Sequence, residues 1–185
     1  GQVYKLKVYK LPQGTPQARG KAMVNMLPLS EGETITTIMP LPEDETTWNE
    51  LHIMFATSNG KVRRNSLDDF SQVKANGKIA IRLDDDDALV GVATCSEDDD
   101  VLLAAHGGKC IRFPVTAVRV FKSRTSDGVR GINLGKDDRV LSMSVVRHEK
   151  IEVEERDAYL RWSNANRRGE DLSDTGLSPE RLAEI

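Results

Sequence analysis

Short stretches of this chain recur at intervals of roughly 50 residues, and that spacing constrains the fold more than any single motif. Asn59-Gly60-Lys61-Val62-Arg63-Arg64 moved 48 residues forward falls on Gly107-Gly108-Lys109-Cys110-Ile111-Arg112. Moved 59 back, it falls on Gly1-Gln2-Val3-Tyr4-Lys5, with Val8 and Leu11 matching Leu67 and Phe70, then Val115 and Val118. A second half-unit follows in the same order. Gly77-Lys78-Ile79-Ala80-Ile81-Arg82-Leu83 shifts by 51 onto Gly128-Val129-Arg130-Gly131-Ile132-Asn133-Leu134, and by 54 the other way Leu27, Leu29, Ile35 and Ile38 match Ile81, Leu83, Leu89 and Val92. Repeats of this length build propellers or solenoids.

Within each unit the apolar runs predict strands. Residues 51–57 end at Ser58-Asn59-Gly60 and residues 101–106 at Gly107-Gly108, both tight-hairpin signals, because Gly and Asn accept positive φ cheaply. About four short strands per unit with no helix inside is the make-up of one propeller blade. The expected fold is therefore all-β: four-stranded blades of a β-pinwheel or β-propeller, with a short helical C-terminal insertion. Residues 1–49 would supply the second half of one blade and the entry to the next, 50–98 and 99–147 a blade each, and 148–185 a helical, mobile insertion between blades. A closed propeller needs about four to eight blades, so these units are expected to belong to a larger ring. A β-sandwich is the alternative. In the tail, 152–162 predicts a helix, and Ser178-Pro179-Glu180, with its N-cap serine and first-turn proline, predicts the start of a second.

Composition excludes several classes. The longest apolar runs fall far short of the roughly 20 residues of a bilayer span, and no basic-then-apolar leader opens the sequence. Two cysteines, Cys95 and Cys110, and three scattered histidines offer neither a disulfide framework nor a zinc pattern. The expected setting is a reducing cytoplasm, with no membrane and no metal. Asp84 to Asp87 lack the ligand order and glycine of a calcium loop and predict an acidic turn. Both cysteines are expected in the core.

The formal charge of −3 hides a pattern. Residues 1–21 carry five bases and no acid, 31–50 six acids and no base, 61–82 a net +4, 84–100 eight acids alone, and 109–130 a net +5. Cations thus return at the same repeat position three times. Successive blades would line them into a band suited to a polyanion such as duplex DNA, which offers about one charge per 1.7 Å of axis. The candidate DNA-binding residues are Lys5, Lys7, Arg19, Lys21, Lys61, Arg63, Arg64, Lys74, Lys78, Lys109, Arg112, Lys122, Arg124 and Arg130.

Three strings carry a family resemblance: residues 3–9 (Val-Tyr-Lys-Leu-Lys-Val-Tyr), 18–29 (Ala-Arg-Gly-Lys-Ala-Met-Val-Asn-Met-Leu-Pro-Leu), and Gly128-Val129-Arg130-Gly131-Ile132. Over residues 1 to about 147 the chain resembles the C-terminal domain of DNA gyrase A. The resemblance implies a six-bladed β-pinwheel that wraps duplex DNA without reading its sequence, in support of ATP-dependent negative supercoiling by a type II topoisomerase. It implies partnership with DNA gyrase B in an A2B2 assembly, in the cytoplasm at the nucleoid. ATP and Mg2+ would be handled by gyrase B and by the breakage domain. The breakage domain also holds the catalytic tyrosine, so no cofactor and no catalytic residue are expected in these residues. The tail from His148 resembles a helical insertion present in some gyrases.

The family's heptapeptide of Gln, two Arg, two Gly, Lys and Gly is absent; Gln17-Ala18-Arg19-Gly20-Lys21 is a degenerate echo of it. The same-class alternative is the C-terminal domain of the topoisomerase IV counterpart. A protein-interaction propeller, docking through its acidic runs and helical tail, is the alternative from a different class.

Overall fold

The computed structural model describes residues 1–123, 125–170 and 178. Residues 1–148 and 149–185 form two units. The first is built of antiparallel strands and short 3-10 turns. In sequence order its strands are β1 (Gln2–Val3), β2 (His52–Thr57), β3 (Lys61–Ser66), β4 (Lys78–Ile79), β5 (Leu89–Cys95), β6 (Asp99–Ala105), β7 (Cys110–Pro114), β8 (Val129–Arg130) and β9 (Val140–Arg147).

The repeat organises the pairing. Each unit forms a hairpin, β2–β3 or β6–β7, followed by a 3-10 turn at Leu67–Phe70 or Val115–Ala117. The chain then leaves its own sheet, adds a two-residue strand to the sheet of the preceding repeat, and returns to pair beside the first hairpin strand. Thus β4 joins β1, with Gln2 opposite Ile79 and Val3 opposite Lys78; β8 joins β3 in the same register, with Lys61 opposite Arg130 and Val62 opposite Val129. The return strands β5 and β9 pair with β2 and β6. The result is one four-stranded sheet ordered β5-β2-β3-β8, one three-stranded sheet ordered β7-β6-β9, and the two-stranded β1-β4. A blade of four strands therefore needs two consecutive repeats.

Burial follows from this exchange. Strand β2 is flanked on both faces, so its alternate residues enter different cores. Ile53 and Phe55 pack with Trp48, Leu67, Phe70, Ala80 and Ile81, whereas Met54 and Ala56 pack with Val62, Val101, Leu103, Val115, Val118 and Ile132. Strand β6 has a neighbouring sheet on one face, and its burial alternates as a half-covered strand requires. The edge of β7 has no strand beside it among the described residues, and four of its five residues are exposed. The first repeat makes the same point. Ile38, which the repeat matches to Val92 of β5, lies in no strand and is exposed.

The second unit contains helix α1 (Val153–Arg167), with Glu154 and Glu155 in its first turn and Arg167 in its last, which suits the helix dipole. It runs five residues past the expected 162, because nothing after Trp162 stops it until Gly169, whose φ of 72° ends the helix. The second helix expected from Ser178-Pro179 falls outside the described residues. No helix among the described residues is long and apolar enough to cross a membrane. Cys95 is buried as expected, and burial pushes its thiol up to about 12, but Cys110 is exposed on β7, because no strand covers that edge.

Candidate nucleic-acid interface

A cation that contacts phosphate must reach solvent and must not be neutralised by its own protein. The fourteen residues expected from sequence separate on those two conditions.

Strand β3 holds three of them, and the structure turns two of these into framework. Arg63 is fully buried; its guanidinium donates to the Ser126 carbonyl at 2.6 Å and to the Ser123 carbonyl. Arg64 is also buried, with Glu97 at 3.5 Å. Neither can touch a phosphate, and both expectations are corrected. The strand pattern hid this because β3 is flanked on both faces, so even its charged positions point into protein. Lys61 lies between Asp84 at 2.7 Å and Asp127 at 2.5 Å, and these hydrogen bonds raise its pKa.

The position that repeats as Lys5, Arg64 and Arg112 is neutralised in every copy. Lys5 meets Glu45 at 2.6 Å and the Ser71 carbonyl at 2.8 Å, with its ammonium over the Trp48 ring. Arg112 donates through Nε to Asp100 at 2.6 Å and through Nη2 to the Arg147 carbonyl. Lys7 shares Glu45 at 3.6 Å, Lys78 binds the Asp69 and Gln72 carbonyls, and Lys109 donates to the Asn133 carbonyl at 3.4 Å.

Six expected cations are exposed and have no ion pair among the described residues. Lys109 lies at the β6–β7 turn; the other five lie on the segments that follow the 3-10 turns Val8–Lys10, Leu67–Phe70 and Val115–Ala117: Arg19 and Lys21 in the first repeat, Lys74 in the second, and Lys122 and, at the end of β8, Arg130 in the third. Arg124 lies outside the described residues. The third segment adds Arg119, which sequence reasoning missed: it is exposed and its guanidinium lies 4.1 Å from the centre of the Phe121 ring. The signal was present as the spacing of Arg119 and Phe121, two residues apart and hence on one side of an extended chain.

The acidic runs serve the hairpin turns. Asp87 accepts from the Ser58 hydroxyl and the Asn59 N–H, both at 2.9 Å, and Asp138, 51 residues on, accepts from the N–H groups of Gly107 and Arg139 at 2.8 Å. The Gly107 bond chiefly, with Arg139, holds the Asp138 carboxyl below the ordinary carboxylate range.

A model of the DNA gyrase C-terminal domain, a β-propeller, matches residues 1–42, 51–96 and 99–147. The A-type chain of DNA gyrase from Rickettsia bellii (strain RML369-C) is 53% identical over 188 residues, covering 100% of this chain and 21% of that protein. Its counterpart from Escherichia coli (strain K12) is 44% identical over 148 residues, or 80% of this chain and 16% of that protein. The chain thus spans about a fifth of the length of these relatives. A solved DNA gyrase A C-terminal domain superposes with a TM-score of 0.63 at 23% identity, covering 78% of this chain and 44% of the other. The C-terminal domain of DNA topoisomerase IV gives 0.62 at 24%, covering 70% and 39%. At these identities the two structures bear on the fold, which they share with this chain.

Proposed function

The chain belongs to the DNA gyrase C-terminal β-propeller family, and from that premise we propose that it binds and wraps duplex DNA without sequence preference. In the whole protein it supports negative supercoiling by an ATP-dependent type II topoisomerase. One observation carries this reading: exposed cations free of ion pairs recur on the segments that follow the matching 3-10 turns of three successive repeats.

The physics asks for such a distribution. Bending 20–30 base pairs by 40–90° costs on the order of 1–6 kcal/mol, and dispersed phosphate contacts offset that cost while leaving base edges unread. Lysine supplies point charges and arginine forked donors. The proposal extends to the expected setting: DNA gyrase B as partner, the cytoplasmic nucleoid as location, and ATP and Mg2+ acting outside these residues. The topoisomerase IV counterpart shares the fold equally, but the sequence relatives at 44% and 53% identity are gyrases.

Electrophoretic mobility shift of a duplex without a chosen sequence, from 50 to 200 mM salt, tests the reading. Affinity should fall with log salt at about −0.9 per phosphate contacted. A salt-independent affinity overturns it.

A further inference from the structure

We propose that residues 119–123, after the 3-10 turn Val115–Ala117, form a preformed phosphate clamp, with Arg119 as its anchoring contact and the buried Arg63 and Asn65 as its positioning residues. The inference rests on the DNA-binding reading above and identifies the element that carries it in the third repeat.

The connection from that turn to β8 is fastened to β3 of the preceding repeat at residues 121, 123 and 126. The Phe121 N–H donates to the Arg64 carbonyl at 2.7 Å, and the Phe121 carbonyl accepts from Asn65 Nδ2 at 2.7 Å, so both polar groups of one residue are tied to neighbouring residues of β3. Asn65 is itself fully buried. Farther along, Arg63 binds the carbonyls of Ser123 and Ser126. Residues 121, 123 and 126 are thus each held by a buried side chain of β3.

Phe121 is the pivot. Its ring is buried, with the Arg63 guanidinium 5.6 Å from its centre and Arg119 at 4.1 Å. The inner arginine fixes the loop and the outer one reaches solvent. The ring face holds the Arg119 guanidinium over it, leaving donors for an oxyanion. Exposed Lys122 and Arg130 flank it on the same connection and strand. The one acid of the segment, Asp127, is taken up by Lys61 from the preceding repeat, so it does not oppose an approaching phosphate. Burying Arg63 thus serves binding at a distance: it orders the segment that bears the contacts.

Duplex binding by the 185-residue chain, titrated at several salt concentrations, tests this together with thermal unfolding. Arg119→Ala should reduce the salt slope by about 0.9 and weaken binding roughly tenfold at 0.1 M salt, with the unfolding midpoint unchanged. Arg119→Lys should keep the slope and bind more weakly than the parent, since the charge remains and the guanidinium fork is lost. Arg63→Met, and Asn65→Ala should Arg63→Met not fold, should reduce the slope by more than one contact. The core substitution Leu103→Val, which destabilises while keeping every group that holds residues 121, 123 and 126, should leave the slope at the parent value. A parent slope in Arg119→Ala, or a slope in Arg63→Met or Asn65→Ala equal to that of Leu103→Val, overturns the clamp while DNA binding itself stands. A parent chain that shows no salt-dependent binding overturns both readings.

Discussion

Lys61 and Asp127 belong to different repeats, yet their charged groups meet at 2.5 Å where β8 joins β3. Asp84 completes the arrangement from the other side at 2.7 Å. The seam between two repeats is therefore pinned by one ammonium between two carboxylates.

The pair is partly solvated, so its worth is modest. Lys61→Met should cost about 0.5–1 kcal/mol, read by urea denaturation at pH 7. The hydrogen bond Lys61 donates to Asp127 depresses the Asp127 pKa, and its bonds to the Asp127 and Asp84 carboxylates raise that of Lys61. A depressed acid stabilises above its unfolded pKa of about 3.9 and loses that contribution as pH falls through its lower folded value. A raised lysine contributes fully below about 10.4 and loses its part as pH rises through the folded value. The difference between parent and Lys61→Met should thus be largest between those limits and shrink on both sides.

Gly128 tests the seam sterically. It sits at φ 105°, and a Cβ there would lie 2.3 Å from the Val62 carbonyl oxygen, a backbone atom that cannot swing away. Gly20, two repeats earlier, has φ 71° and nothing within 4 Å. Gly20→Ala should cost the left-handed backbone penalty alone, roughly 1–2 kcal/mol. Gly128→Ala should cost clearly more and release β8, which denaturation and amide exchange at Val129 would detect.

Asp100 gathers the end of the three-stranded sheet. Almost fully buried, it accepts from Arg112 Nε at 2.6 Å and pairs with His148 Nδ1 at 2.8 Å. Burial alone would raise its pKa; the bonds to His148 and Arg112 outweigh that and lower it. Asp100→Ala leaves two donors without their acceptor and should destabilise by about 1–3 kcal/mol. Its stabilisation is present above the ordinary carboxylate range and is lost as pH falls through the depressed value, so Asp100→Asn should flatten the acid limb of the stability profile.

Leu103 is fully buried in the core shared by the last two repeats. Leu103→Ala should cost about 2–5 kcal/mol through lost burial and the cavity left behind. Chemical denaturation at pH 7 gives the value.

Much of this was legible in advance. The glycine-marked hairpins, the half-units and the helix beginning near 153 follow from turn chemistry and periodicity, which act over a few residues. Strand exchange between repeats was not legible, because β8 pairs with β3 far back along the chain, with Lys61 opposite Arg130, and no local pattern encodes such a contact. For the same reason, the sequence could not separate framework cations from free ones: Arg63 and Arg64 face protein, Lys5, Lys61 and Arg112 are answered by acids, and Arg119 entered only through its contact with Phe121.

Three glycines mark the division. At Gly20, Gly77 and Gly128 the backbone is left-handed, a local requirement that glycine meets without help. What that conformation leads to differs. Gly77 closes on the Tyr4 ring and Gly128 on the Val62 carbonyl, while Gly20 touches nothing. The sequence by itself determined the unit, its turns and its charge period; the tertiary structure decided which crossing segments become strands and which cations stay free. The physical reason is that a strand's hydrogen bonds and a charge's neutralisation both depend on a partner from another repeat.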